Sequence, residues 1–188
     1  MSLYDAADVF WKTVKIECVQ RNLEKLNEYT QSLGKSYSNG SVVAKVFSLK
    51  NDNIDKEYTV EIILRSLLAS RLLAHKVVVQ AFNGYRTIDG FGEKQDFCEM
   101  IPYELPGYLG SVIQNGGAYS SCKPDMKNFY LGLSVALEIS DNDLNNLYVV
   151  SSHSAWSSFF KDVAWDYTLI AYNKLRNEIV VLMATDED

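Results

Sequence analysis

Histidine is almost missing from this chain: 188 residues contain only His75 and His153, so any proton transfer through imidazole has two candidates. Cysteine is nearly as scarce. Cys18, Cys98 and Cys122 form an odd set at wide spacings, which fits neither a disulfide framework nor a paired-cysteine metal knuckle and points to a reducing, cytoplasmic setting. No run of roughly 18 consistently apolar residues occurs, and Met1 to Lys12 lack the basic-then-apolar pattern of a secretory leader, so neither membrane spanning nor export is expected. The basic residues are unclustered. The last quarter of the chain is acidic, with 8 acidic and 3 basic side chains from residue 141 to 188 in a chain of net charge −6, so it would repel a phosphate backbone. Nucleic acid is therefore excluded as the expected partner, and a basic protein is favoured. The plainer account of the acidity is a solvated tail at Asp186, Glu187 and Asp188 that serves solubility.

Aromatic residues are plentiful by contrast: 12 Tyr, 8 Phe and 3 Trp can serve as core or as binding surface. With 47% hydrophobic and 22% charged residues, the whole chain, 1–188, reads as one globular domain large enough to bury its own core.

The patterning predicts an α+β fold. From Phe129 to Ile139 every odd position is apolar, a period of two that reads as a long strand with one wall on a core and the other near solvent. Residues 4 to 33 place Ala7, Phe10, Trp11, Val14, Cys18, Leu23, Leu26 and Leu33 at helical spacings, with Gly34 as a stop, and read as one long amphipathic helix. A competing reading breaks that helix at Thr13 to Val19, where apolar and charged residues alternate. Val42 to Leu49 reads as a strand and Ser66 to Ala74 as a helix. Val77 to Phe82 and Tyr85 to Ile88 flank Asn83-Gly84, which predicts a tight hairpin burying Val77, Val79 and Ile88. Leu147 to Ser151 predicts a further strand, and Trp165 to Tyr172 with Glu178 to Met183 a final hairpin. The sum is a mostly antiparallel sheet of five to seven strands, covered by the long N-terminal helix and the helix near Ser66. Residues 89 to 127 hold all three prolines and six of the ten glycines and read as an irregular lid or rim, with a short helix near Leu105 to Ile113.

No motif specifies a reaction, a metal or a cofactor. His75, next to Lys76 at the end of a Leu-rich helix, reads as a cation satisfying the helix dipole. His153 lies in a serine-rich loop just past a strand, the kind of place where working side chains are displayed. A small hydrolase would use His153 as base with Cys122, Cys98 or a serine as nucleophile, and Asp162 or Asp166 to orient the ring. The favoured reading is a non-enzymatic protein-binding module of inhibitor or neutraliser type. In it Trp156, Phe159 and Trp165 are the anchors, and Asp162 and Asp166 steer a basic partner. A structural or assembly subunit that forms homo-oligomers is a further alternative, and a concentration-dependent mass would reveal it.

Overall fold

The computed structural model describes residues 2–50, 60–88, 91, 97–118 and 125–187. The elements run α1 (Leu3–Thr13), β1 (Lys15–Val19), α2 (Glu24–Ser36), β2 (Ser41–Lys50), α3 (Val60–Leu73), α4 (Lys76–Ala81), β3 (Cys98–Met100), α5 (Leu105–Asn115), α6 (Met126–Ser140), β4 (Leu147–Ser152), β5 (Tyr167–Asn173) and β6 (Glu178–Thr185). The six strands form one antiparallel sheet in the order β1-β2-β6-β5-β4-β3, so the fold is α+β.

Both faces of the sheet are buried. Tyr167, Leu169 and Ala171 of β5 enter one core with Leu33, Leu109, Val135 and Ile139, from α2, α5 and α6. Ile170 and Tyr172 enter the other core with Phe10, Leu64, Leu72 and Val78, from α1, α3 and α4. The alternation in β5 thus distributes its aromatics between two hydrophobic layers, where one covered face had been expected.

The long N-terminal helix is not continuous. A reciprocal cap starts α1, with Asp5 N donating to Ser2 Oγ at 3.2 Å and Ser2 N to Asp5 Oδ2 at 3.0 Å. The helix ends when Val14 turns extended, and β1 then pairs with the far half of β2, Lys15 opposite Lys50 through Val19 opposite Val46. The competing reading of Thr13 to Val19 is the correct one, because a ladder with a strand some thirty residues away outweighs a local helical spacing. Gly34 lies inside α2 and not beyond its end. At the other end of α2, Glu138 of α6 accepts from Lys25 N at 3.1 Å and Leu26 N at 3.0 Å.

The expected strand Phe129 to Ile139 is also overturned: it is helix α6. Its buried residues are Gly132, Val135, Ala136, Ile139 and Ser140, at spacings of three and four. The apparent period of two arose because Gly132 and Ala136 stood among the polar positions, although they face the core. Gly132 has a packing role, since a Cβ there would lie 2.4 Å from the Pro106 carbonyl oxygen and 2.9 Å from Gly110 N. The two glycines let the α5 and α6 backbones touch. Asp125 caps α6, accepting from Lys127 N at 2.9 Å, and Asp141 ends it in the left-handed region at φ 58°.

The hairpin expected around Asn83-Gly84 is instead the end of α4. Positive φ at Asn83 (61°) and Gly84 (76°) suits a hairpin turn and a helix terminus alike, and here Gly84 N donates back to Val79 O at 2.8 Å. Val78 is the fully buried valine, and Ile88 is 51% exposed. His75 also changes role. It opens α4 as an N-cap whose Nδ1 accepts from Val77 N at 3.3 Å, which requires the neutral ring, and burial followed by the Lys76 charge holds its pKa below the ordinary value.

The segment from 89 to 127 is only partly irregular, since it contains β3 and α5. Residues 51–59, 89–90, 92–96 and 119–124 lie outside the described residues, among them most of the charged loop expected from Lys50 to Lys56. The acidic tail is not simply solvated. Asp186 is fully buried and accepts from Asn39 N at 3.1 Å and Ala118 N at 2.8 Å, tying the turn before β2 and the exit of α5 to the end of β6. No described helix is long and apolar enough to cross a membrane.

Candidate functional site

The loop joining β4 to β5, residues 153 to 166, carries most of the residues singled out above and is fastened to the fold from inside. Trp156 is 3% exposed. It meets Tyr85 and Phe160 edge-on at 5.0 and 5.3 Å and lies 5.3 Å from Phe91 and 6.4 Å from Phe97, while its Nε1 donates to Thr168 Oγ1 at 2.8 Å. The main chain is stitched to the stretch after α4: Ile88 N donates to Trp156 O at 3.0 Å and Ser158 N to Arg86 O at 2.7 Å. Trp156 is therefore an internal anchor, and the expectation that it contacts a partner is corrected.

Asp166 is equally internal. Its Oδ1 accepts from the Thr185 hydroxyl at 2.6 Å and its Oδ2 from Val163 N at 3.1 Å, with the residue fully buried. It closes the loop on itself and locks it to β6, so it neither steers a partner nor orients His153 through its carboxylate. What the loop leaves outside is narrower. Asp162 is exposed and held at φ 59°, a left-handed conformation unusual for a non-glycine residue. Trp165 and Phe159 are half-buried, the Trp165 carbonyl accepting from Tyr37 OH at 3.2 Å and the Phe159 ring lying 5.1 Å from Phe160. Lys161 pairs with Glu187 at 2.8 Å.

His153 is exposed and held at both nitrogens. Its Nδ1 is 3.1 Å from the Asp166 carbonyl oxygen and its Nε2 2.8 Å from Tyr108 OH. A carbonyl only accepts, so Nδ1 carries a proton, and in the neutral ring Nε2 accepts from the phenol. Tyr108 keeps its proton more firmly than a free tyrosine, chiefly through burial, opposed by a hydrogen bond with Ser151. Cys98 stands opposite Ser151 in the β3–β4 register. The ring centroid of His153 is 5.8 Å from that of Tyr167, whose fully buried hydroxyl has no hydrogen-bond partner among the described residues.

Among the described residues, the surroundings of His153 hold no nucleophile and no carboxylate oxygen on the ring. The basic nitrogen of His153 is taken by a phenol, and only the backbone of Asp166 reaches the ring. Asp162 has no contact with the imidazole, and Cys122 lies outside the described residues. Among the described residues, no three His, Cys, Asp or Glu side chains gather as a metal site needs. Tyr108 and Ser151 were not found from the sequence. Tyr108 lies 45 residues from His153 on another element, and no local pattern links them.

No protein-family model matches the chain, and no curated protein is similar to it.

Proposed function

We propose that this protein is a non-enzymatic protein-binding module of the inhibitor or neutraliser type. It presents the β4–β5 loop, with Asp162, Trp165 and Phe159, to a basic partner. The observation that carries this reading is the division of labour within the loop. Trp156 and Asp166 fix it from the inside, so a segment of no regular secondary structure is held in place while Asp162 stands exposed and the Phe159 and Trp165 rings, each packed against a core, stay partly accessible. A surface ordered before binding loses little entropy on association. The left-handed backbone at Asp162 fits the same reading, since such conformations concentrate where a structure holds a side chain in place for use. Asp162 has no ion-pair partner among the described residues, which leaves its charge available. The acids near it are spent within the fold: Asp166 accepts from Thr185 and Val163, Asp186 from Asn39 and Ala118, and Glu187 pairs with Lys161.

The test is recovery of a complex from native extract with wild-type, Asp162→Lys and Trp165→Ala proteins over a range of salt. Trp165→Ala should weaken the complex by roughly thirtyfold or more if the ring is a central anchor. Asp162→Lys should weaken it most at low ionic strength, because screening removes the attraction at high salt. Equal recovery with all three proteins, independent of salt, refutes the reading.

A further inference from the structure

We propose that Asn39 is a modification site, at which the side-chain amide is lost spontaneously and the clasp on the end of β6 is loosened. The chain contains three asparagine–glycine pairs, Asn39-Gly40, Asn83-Gly84 and Asn115-Gly116. A glycine after asparagine leaves the next backbone nitrogen open to the side chain, so each pair is a chemically labile point. All three asparagines are exposed, so access to water does not separate them.

The state of the glycine nitrogen does. Gly84 N donates to Val79 O at 2.8 Å, and Asn83 is held at φ 61° in the terminus of α4. Gly116 N lies 3.3 Å from Val112 O and 3.2 Å from Ile113 O, sharing its proton between two carbonyls at the end of α5. To attack a side chain, either nitrogen must first break out of a helix terminus. Gly40 N has no hydrogen-bond partner among the described residues, and the ladder with β6 begins only at Ser41, opposite Thr185. Among those residues Asn39 is engaged through its main-chain nitrogen alone, which donates to Asp186 Oδ1 at 3.1 Å. The glycine itself is fixed by packing: a Cβ at position 40 would run into the Thr185 carbonyl oxygen and stand 2.7 Å from Asp186 Cα. The fold thus requires the labile pair and gives it no hydrogen bond for protection.

The reaction consumes water and releases ammonia, with no change of oxidation state. Gly40 N gives its proton to hydroxide and bonds to Asn39 Cγ, while the Cγ–Nδ2 bond breaks and Nδ2 leaves as ammonia with a proton from water. Water then opens the cyclic imide. Addition at Cγ returns a normal peptide with an aspartate side chain. Addition at the main-chain carbonyl carbon gives isoaspartate, whose chain runs through the side-chain carbons. Both products put a new carboxylate next to the amide that holds the buried Asp186, and isoaspartate also lengthens the backbone between that hydrogen bond and Ser41. Asp186 accepts from Ala118 N as well, at 2.8 Å, so the change loosens the exit of α5 together with the start of β2.

The test is ageing of the full chain in mildly alkaline buffer, folded and in urea, with each asparagine–glycine peptide followed by mass spectrometry. In the folded protein Asn39 should convert about tenfold or more faster than Asn83 and Asn115, whose glycine hydrogen bonds must open first, and in urea the three rates should agree within about threefold. The modified chain, separated from the unmodified one by ion exchange, should unfold at lower urea and exchange its Ala118 amide faster, whereas aged Asn39→Ser protein should match fresh. Folded-state rates no more widely spread than those in urea, or an Asn39 slower than either of the other two, overturn the proposal. So does a modified chain with unchanged urea midpoint and unchanged Ala118 exchange, which separates the chemistry at Asn39 from the clasp.

Discussion

Gly132→Ala should destabilise the protein, although it improves the intrinsic helix propensity of α6. In an exposed helix interior the same change gains about 1 kcal/mol, because alanine has less backbone freedom to lose than glycine. At position 132 the new methyl would stand 2.4 Å from the Pro106 carbonyl oxygen, 2.9 Å from Gly110 N and 3.1 Å from Leu109 Cβ. Two of those atoms are backbone, which no rotamer change can clear, so α5 and α6 must move apart by about 1 Å. A gap of that size forfeits a quarter to a half of the dispersion well for each pair it opens. Overpacking of this kind costs about 1–3 kcal/mol, enough to cancel the propensity gain and leave a net loss of up to about 2 kcal/mol. Gly34→Ala is the matched control: Gly34 is also helical, and nothing lies within 4 Å of its Cβ position. It should stabilise by about 0.5–1 kcal/mol. Urea unfolding of the two variants and the wild type, compared at equal slope, reads both values. If Gly132→Ala proves as stable as Gly34→Ala, the close backbone contact between α5 and α6 is wrong.

His75→Asn should flatten the acid side of the stability profile while preserving the start of α4. Burial holds the folded pKa of His75 below its ordinary value near 6.5, so on acidification the unfolded chain takes up the proton first. Stability associated with the neutral ring is whole above about 6.5 and is lost as pH falls from there through the lower folded value. Asparagine supplies a cap that does not titrate. Urea midpoints at pH 7.5 and 5 should therefore differ less for the variant than for wild type, and an unchanged difference refutes the capping role. Two aspartates four residues apart should behave in opposite ways. Asp166→Ala strands the Thr185 hydroxyl and the Val163 amide, at about 1–3 kcal/mol each, whereas Asp162→Asn, which keeps a residue type that tolerates the left-handed backbone, should stay within about 0.5 kcal/mol of wild type. Thermal unfolding distinguishes them, since roughly 2–4 °C is expected per kcal/mol in a domain of this size, and similar melting temperatures would contradict the internal role of Asp166.

Several elements were legible in the residues because their signals are local. The alternation in Tyr167 to Tyr172 and Glu178 to Met183, with a short polar connection, specified the β5–β6 hairpin, and Val42 to Leu49 specified β2. The leucine- and alanine-rich run Ser66 to Ala74, with Leu68 and Leu72 one turn apart, specified the second half of α3. Other stretches carried two periods at once. Phe129 to Ile139 matched a strand when glycine and alanine were counted as outward positions. It became a helix because Gly132 and Ala136 are small enough to lie in a helix contact. Asn83-Gly84 announced positive φ without saying whether a hairpin or a helix end would use it.

The candidate site was legible as a loop, and its inside and outside were not. His153, Trp156, Asp162 and Asp166 were drawn from a single segment by composition alone. Which of them is displayed depends on Thr168, Thr185, Tyr85 and Tyr108, which reach that segment from β5, β6, the turn after α4, and α5. By itself the sequence determined an α+β chain with antiparallel hairpins and an acidic, aromatic final quarter, because side-chain period and turn chemistry act over a few residues. Only the tertiary structure decided that the sheet is buried on both faces, that Asp166 and Asp186 are interior acceptors, and that Ser41 to Lys45 of β2 pairs with β6 alone among the described residues. Burial and hydrogen-bond satisfaction are settled between segments far apart in the chain, and no short window of residues contains both partners.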